Sequence, residues 1–289
     1  MSGKLFLCAT PIGNLGDITL RVLETLETVD LIAAEDTRHS LKLLNHFAIK
    51  TPMTSYHEFN KIDKAHYLIG QMSKGLNIAL VTDAGTPAIS DPGEELVKMC
   101  YEAGIEVTSL PGPSACITAL TLSGLRTRRF CFEGFLPADK KESALVLERL
   151  KNELRTTVFY EAPHRLAKTL KALMKAIGNR QITLSRELTK RYETVMRTTL
   201  EEALSYYKEH EPKGEYVIIV EGADIEKLHK EAQRQWEKIT IQEHMNIYLN
   251  QGMLKMEAMK AVAADRGLRK RDIYQQLMNA DKERGEGHE

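Results

Sequence analysis

Net charge is what this 289-residue chain lacks first: 40 acidic side chains cancel 40 basic ones, with histidine counted as neutral. That excludes a protein holding a polyanion by bulk attraction alone. Cysteine is scarce. Cys8, Cys100, Cys116 and Cys131 form no CxxC pair and lie in apolar surroundings, so they read as reduced core residues rather than a disulfide frame or a thiolate metal site. No apolar run reaches the length of a membrane span. The opening Met1-Ser2-Gly3-Lys4 passes directly into the strand-like Leu5–Ala9, without the ordered parts of an export signal, which predicts a cytoplasmic protein with no membrane partner. His39, His46, His57 and His66 match no HExxH or Cys/His ligand spacing, so no metal centre is expected. Also missing are GxGxxG with its acidic partner and GxxxxGK[ST], which removes support for a dinucleotide site or a P-loop ATPase.

What is present is a repeated coupling of apolar strand to polar loop. The run Ile78–Val81 feeds into Thr82-Asp83-Ala84-Gly85-Thr86-Pro87-Ala88-Ile89-Ser90-Asp91-Pro92-Gly93, and ligands of open α/β sheets settle at such strand exits. Gly85 and Gly93 permit positive φ or close backbone approach, while Pro87 and Pro92 stiffen the loop. Three further exits carry marked loops: Thr10-Pro11-Ile12-Gly13-Asn14-Leu15-Gly16-Asp17, Ala34-Glu35-Asp36-Thr37-Arg38 and Pro111-Gly112-Pro113-Ser114-Ala115. Each alone reads equally well as a capped helix start, but all four fall on one predicted sheet edge.

Alternation of strands (Lys4–Ala9, Leu31–Ala34, Ile78–Thr82, Ile105–Ser109) with helical patterns predicts a parallel α/β domain over residues 1–123. Residues 124–223 read as a second α/β domain of mixed strand direction. In it Phe159-Tyr160-Glu161-Ala162-Pro163-His164-Arg165 and Ser185-Arg186-Glu187-Leu188-Thr189-Lys190-Arg191-Tyr192-Glu193 place polar groups at two strand ends, either as salt-bridged surface or as a site shared between domains. Residues 224–289 read as a charged linker or surface helix to Glu237, then helices near Ile239–Leu249, Lys255–Ala264 and Lys270–Leu277. The turn at Gly267 before Arg269-Lys270-Arg271 outlines a helix-turn-helix, or equally a plain helical appendage. Asp281–Glu289 reads as a frayed end.

The strings TPIGNLGD, AAEDTR, DAGTPAISDPG, PGPSA, EGFLP, FYEAPHR and RELTKRYE, in this order, carry a resemblance. Up to about Gly222 the chain resembles the ribosomal RNA small-subunit methyltransferase I family of the tetrapyrrole-methylase-like superfamily. The resemblance implies two α/β domains of the tetrapyrrole-methylase type with a cofactor cleft between them, plus a small helical C-terminal piece. It implies transfer of a methyl group from S-adenosylmethionine to the 2′-hydroxyl of a cytidine ribose in the decoding region of 16S ribosomal RNA. Carried over by position, Gly85, Thr86, Ala88 and Ile89 line the cofactor with Ser114 and Ala115 beside it; Tyr160, Leu188 and an apolar residue near Ile219 wall the adenine, and Pro11 and Ile12 close the floor. Together with the apolar small-residue helix Ala115–Leu122, the resemblance also suggests a homodimer.

Displacement at a sulfonium carbon needs alignment and exclusion of water rather than a metal, but the ribose hydroxyl must shed a proton. Asp36, His164, Glu187 and Lys190 are candidates to assist, with Asp36, Glu187 and Lys190 first because they stand at strand exits. Arg38, Arg165, Arg186, Arg191, Arg269, Lys270 and Arg271 suit RNA phosphates, since guanidinium stays charged and binds phosphate bidentately. A methylase of small molecules would share the cleft without needing the basic runs, and a non-catalytic RNA-binding regulator would use those runs without a cofactor.

Overall fold

The computed structural model describes residues 2–285. Two five-stranded sheets form one compact unit, Met1–Lys151 with Arg155–Glu221; a second unit comprises Asn152–Leu154 and Gly222–Glu289.

The first sheet contains β1 (Lys4–Cys8), β2 (Leu31–Ala34), β3 (Met53–Ser55), β4 (Ile78–Val81) and β5 (Glu106–Leu110), in the order β3-β2-β4-β1-β5, every pair parallel. A parallel sheet must be covered on both faces, which is why β4 reads as an unbroken apolar run and is buried throughout. Helices α1 (Leu20–Thr28) and α2 (Thr37–His46) pack Val22, Leu26 and Leu44 on one face. The other receives Leu68 and Met72 of α3 (Lys61–Ser73) and Leu96 and Cys100 of α4 (Gly93–Glu102). The chain leaves β1 toward β2 and leaves β4 toward β5 on the opposite side. The adjacent exits of β1 and β4 therefore form the topological switch point, where a crevice opens. The short β3 carries no readable alternation and was not expected from the sequence.

The second sheet holds β6 (Phe130–Phe135), β7 (Thr156–Glu161), β8 (Gln181–Arg186), β9 (Thr194–Thr199) and β10 (Tyr216–Val220), ordered β6-β7-β10-β8-β9. Only β6 and β7 run parallel, giving the mixed sheet expected. The strand β9 and helix α8 (Leu200–Glu209) are additions to the sequence reading. α8 starts at a capping box in which Thr199 and Glu202 satisfy each other's backbone amides. Together with α6 (Lys140–Leu150) and α7 (Pro163–Ile177), it covers one sheet face through Leu150, Leu166, Leu170, Leu173 and Leu200.

Helix α5 (Ala115–Leu122) covers the other face: Cys116, Ala119 and Leu120 pack on Val158, Val217 and Ile219. Its small apolar residues Cys116 and Ala119 thus serve the junction of the two sheets, while the large apolar residues Ile117 and Leu122 of the same helix remain exposed.

In the second unit, α9 (Ile225–Glu237) precedes α10 (Ile241–Asn250), α11 (Lys255–Asp265) and α12 (Lys270–Gly285). The linker alternative thus resolves as helix, and α12 continues through part of the expected frayed end; residues 286–289 lie outside the described residues. Met245, Ala258, Met259, Val262 and Ile273 give this unit a core of its own. Buried His244 lies flat on Trp236, ring centroids 3.8 Å apart, and bonds Asp265 at 3.1 Å and Arg266 at 3.2 Å. No helix of the protein is long and apolar enough to cross a membrane among the described residues.

Candidate active site

A cavity of about 340 Å³ lies over the exits of the first sheet and against the second. Its floor starts from a two-residue bridge: Thr10 and Gly85 exchange both backbone bonds, at 2.9 and 3.0 Å, locking the exits of β1 and β4 together. Gly85 has φ +88°, a conformation that penalises any side chain. The loop after it holds two non-glycine residues in the left-handed region, Ala88 at φ +66° and Ser90 at φ +62°. Such strain persists only where the surroundings enforce it. Asp91 enforces it, its carboxylate accepting the Ala88 amide at 2.9 Å and the Gly93 amide at 2.7 Å. Burial pushes the Asp91 carboxyl above its usual range despite these bonds.

The opposite wall is one transverse row of the second sheet. Phe135 pairs with Tyr160, Tyr160 with Val217, and Val217 with Ser185, so four adjacent strands each present one residue to the cavity. Tyr160 also ties the two sheets together, its hydroxyl accepting the Cys116 amide at 3.2 Å near the start of α5. Phe132 and Phe135 pack edge-on against its ring, and burial raises its phenol to about 12.

At the mouth, Lys190 Nζ stands 3.1 Å from Glu187 Oε1 and 2.8 Å from Glu215 Oε2. Glu187 lies at φ +51° and Thr189 at φ +66°, so the RELTK turn is itself strained. Burial pushes the Glu187 carboxyl up, but the Glu215 amide and the Lys190 ammonium outweigh it and hold it below the ordinary range. Burial lowers Lys190, and its bonds to Glu215 and Glu187 overcome that and raise it. The pair is therefore a carboxylate and an ammonium. Glu35, Asp83, Asp91, Glu161 and Glu215 also line the cavity, making six carboxylates against the single ammonium of Lys190.

Of the residues expected at the site, Ile12, Gly85, Thr86, Ile89, Ser114, Ala115, Tyr160, Glu187, Leu188 and Lys190 line this cavity. Pro11, Ala88 and Ile219 do not; Ile219 is buried in the junction core, and Val217, two residues earlier on the same face, takes its place. Asp36 also lies outside, capping α2 by accepting the Arg38 amide and pairing with the Arg38 guanidinium, which holds its carboxyl far below the usual range. His164 is exposed on α7 away from the lining. Arg165 is not a free cation: it is half-buried, pairs with the fully buried Glu161 carboxylate at 3.4 Å and donates to the Leu136 carbonyl. Arg186 reaches the Tyr192 carbonyl at 3.4 Å, and Arg191 lies exposed over the Tyr192 ring. Arg269, Lys270 and Arg271 are in the second unit, at the entry to α12. Sequence reasoning passed over Glu35, Glu161, Ser185 and Glu215 as site residues; their one common signal is that each stands at or near a strand end.

The model of the family described as Tetrapyrrole (Corrin/Porphyrin) Methylases matches residues 4–204. Proteins named ribosomal RNA small subunit methyltransferase I are 50% identical over 272 residues in Halalkalibacterium halodurans and 47% over 272 in Bacillus subtilis, each match covering 94% of this chain and 93% of the relative. The chain belongs to the ribosomal RNA small subunit methyltransferase I family of tetrapyrrole methylases. Solved structures show the shared fold of this methyltransferase family. A diphthine synthase aligns with TM-score 0.60 at 14% identity, covering 76% of this chain and 90% of its own. A uroporphyrin-III C-methyltransferase from Thermus thermophilus aligns at 0.55 and 19%, covering 76% and 94%.

Proposed function

We propose that this protein transfers a methyl group from S-adenosylmethionine to the 2′-hydroxyl of a cytidine ribose in the decoding region of 16S ribosomal RNA, in the cytoplasm. One observation carries the cofactor part: six acidic side chains line the cavity against Lys190, and with Glu161 offset by Arg165 the remaining acidic excess favours a cation, which the donor's sulfonium is. The lining fits the rest of that molecule. Gly85 leaves backbone bare beside Ile12, while Tyr160, Leu188 and Val217 offer a flat apolar wall opposite. Bound there, the cofactor supplies an electrophilic methyl carbon. The ribosomal substrate rests on the names of the relatives, and the cytidine 2′-hydroxyl on the resemblance of the motifs.

The protein's work is alignment, exclusion of water and removal of one proton. Glu187 is our candidate for the last. Both of its bonds, from Lys190 and from the Glu215 amide, fall on Oε1, leaving Oε2 to accept the ribose proton. Lys190 orients that carboxylate and stays protonated. Asp36 caps α2, pairs with Arg38 and stands outside the cavity lining, and so leaves this role to Glu187. Arg186, Arg191, Arg269, Lys270 and Arg271 are proposed phosphate contacts; Arg165 is already committed to Glu161 and Arg38 to Asp36. A homodimer through the exposed Ile117 and Leu122 completes the proposal. Mass spectrometry of small-subunit RNA from a strain lacking the gene tests the reaction: one cytidine should lose its ribose methyl group and regain it when purified protein and cofactor are added. An unchanged methylation pattern refutes it.

A further inference from the structure

Phe59 is 97% exposed, more than any other large apolar side chain among the described residues. The turn that carries it, leaving β3, is firmly tied. The His57 amide donates to Asn60 Oδ1 at 2.8 Å, the Asn60 amide returns to the His57 carbonyl at 3.0 Å, and the Asn60 side chain reaches Ser55 Oγ at 3.3 Å. Just before it, the buried Tyr56 donates its hydroxyl to the Pro92 carbonyl at 2.9 Å, next to cavity-lining Asp91, and its amide to the Ala34 carbonyl at 2.8 Å, next to cavity-lining Glu35. The turn thus carries the exposed phenyl ring beside the loops that form the cavity, and the ring meets His57 edge-on, centroids 6.2 Å apart. Isolated exposed aliphatic groups need no explanation. A phenyl ring left almost wholly in solvent on so firmly tied a turn has a face free for a partner.

The electrostatics of this edge select what such a ring can hold. The cavity beside it carries six carboxylates and one ammonium, and Arg38, on the neighbouring strand exit, is paired with Asp36 at 2.8 Å. Phosphate contacts are disfavoured here. Stacking against the face of a base carries no charge and works where cations are spent.

We infer that Phe59 is a stacking platform for an unpaired nucleobase of the RNA, flanking the ribose that enters the cavity. This rests on the RNA-methylating reading above. It adds a recognition element independent of both cofactor and phosphate.

The test uses full-length protein with small ribosomal subunits from a strain lacking the gene. It compares wild type with Phe59→Ala, Phe59→Leu and Phe59→Trp, all checked for unchanged thermal melting. Phe59→Ala should weaken subunit binding and raise KM roughly tenfold, about 1.4 kcal/mol, within the range for one stacked base. Affinity for S-adenosylhomocysteine should stay as in wild type, and so should the slope of binding against salt, since no phosphate contact is lost. Phe59→Trp should restore binding and Phe59→Leu should not. Full restoration by leucine would show a generic apolar contact with ribosomal protein and overturn the inference. So would wild-type binding by the alanine variant, or an altered salt slope. Filter binding of subunits needs no methyl transfer. A wild-type protein that fails to methylate them therefore refutes the functional reading, while the binding comparison still decides Phe59.

Discussion

A Cβ added to Gly13 would stand 2.4 Å from Cγ of Lys190 and 3.0 Å from Thr189 Oγ1, so the loop leaving β1 is seated against the RELTK turn of the second sheet. No side chain fits at that distance without movement. Gly13 also has φ +154°, which L residues rarely adopt.

Gly13→Ala should therefore displace Lys190 from Glu187, lowering turnover more than cofactor affinity and reducing stability by about 1–3 kcal/mol. In a Lys190→Ala background the nearest clash is gone. A double-mutant cycle on thermal or urea stability should then show coupling of roughly 1 kcal/mol in favour of the double variant. Strictly additive effects would mean that the two loops do not bear on each other.

Gly85→Val tests the floor of the cavity. A Cβ there meets Ile12 Cγ2 at 3.3 Å and the Pro113 carbonyl at 3.5 Å, at a φ of +88° that disfavours a β-branched residue. The variant should stay folded and lose at least about tenfold in affinity for S-adenosylhomocysteine by calorimetry, roughly 1.4 kcal/mol. Unchanged affinity in a folded protein would remove this loop from the cofactor site.

How much of this was visible in the sequence depends on the kind of signal. The α/β alternation and the strand exits were legible because an apolar run ending in Gly, Pro and Asp is a local pattern, and Gly85 and Lys190 follow from it. Side-chain commitments were not. Arg165 reads as a surface cation until Glu161, four residues earlier, proves to be fully buried beside it. Asp36 reads as a base until its cap and its Arg38 pair are seen. The Ala115–Leu122 helix is apolar all round, and only its packing shows that a second sheet of the same unit covers Cys116, Ala119 and Leu120 while Ile117 and Leu122 stay exposed. Ile219 and Val217 lie on one face of one strand, and no local feature says which reaches the cavity.

Replacing Glu187 by Gln keeps the shape of the side chain and removes its capacity to take a proton. Turnover should fall by about 10²–10⁴-fold, with cofactor affinity little changed. The pH profile gives the sign. Glu187 is held below its ordinary range, so wild-type activity should be flat near neutrality and fall only as pH drops through that lowered value. Glu187→Gln should abolish this acid limb. A variant with near wild-type turnover would assign the proton to another acceptor.

The second unit offers a test that owes nothing to catalysis. His244 Nδ1 accepts from Arg266 Nε, which can only donate, so the ring proton sits on Nε2, facing Asp265. Burial lowers the pKa of this ring, Asp265 opposes that, and Arg266 lowers it further, for a net downward shift. The native ring therefore stays neutral at pH values where an unfolded histidine, titrating near about 6.5, takes up a proton. Below that value the unfolded state binds more protons, so stability of these helices is complete above it and declines as pH falls. Trp236 is the single tryptophan of the chain and stacks on His244, so its fluorescence reports this unit. Urea unfolding followed at that signal should show a lower midpoint at about pH 5.5 than at about pH 7.5. His244→Gln should cost stability at both pH values and flatten the difference between them. An equal midpoint at the two pH values in wild type would mean that the ring protonates in place, with Arg266 moving aside to admit the second proton.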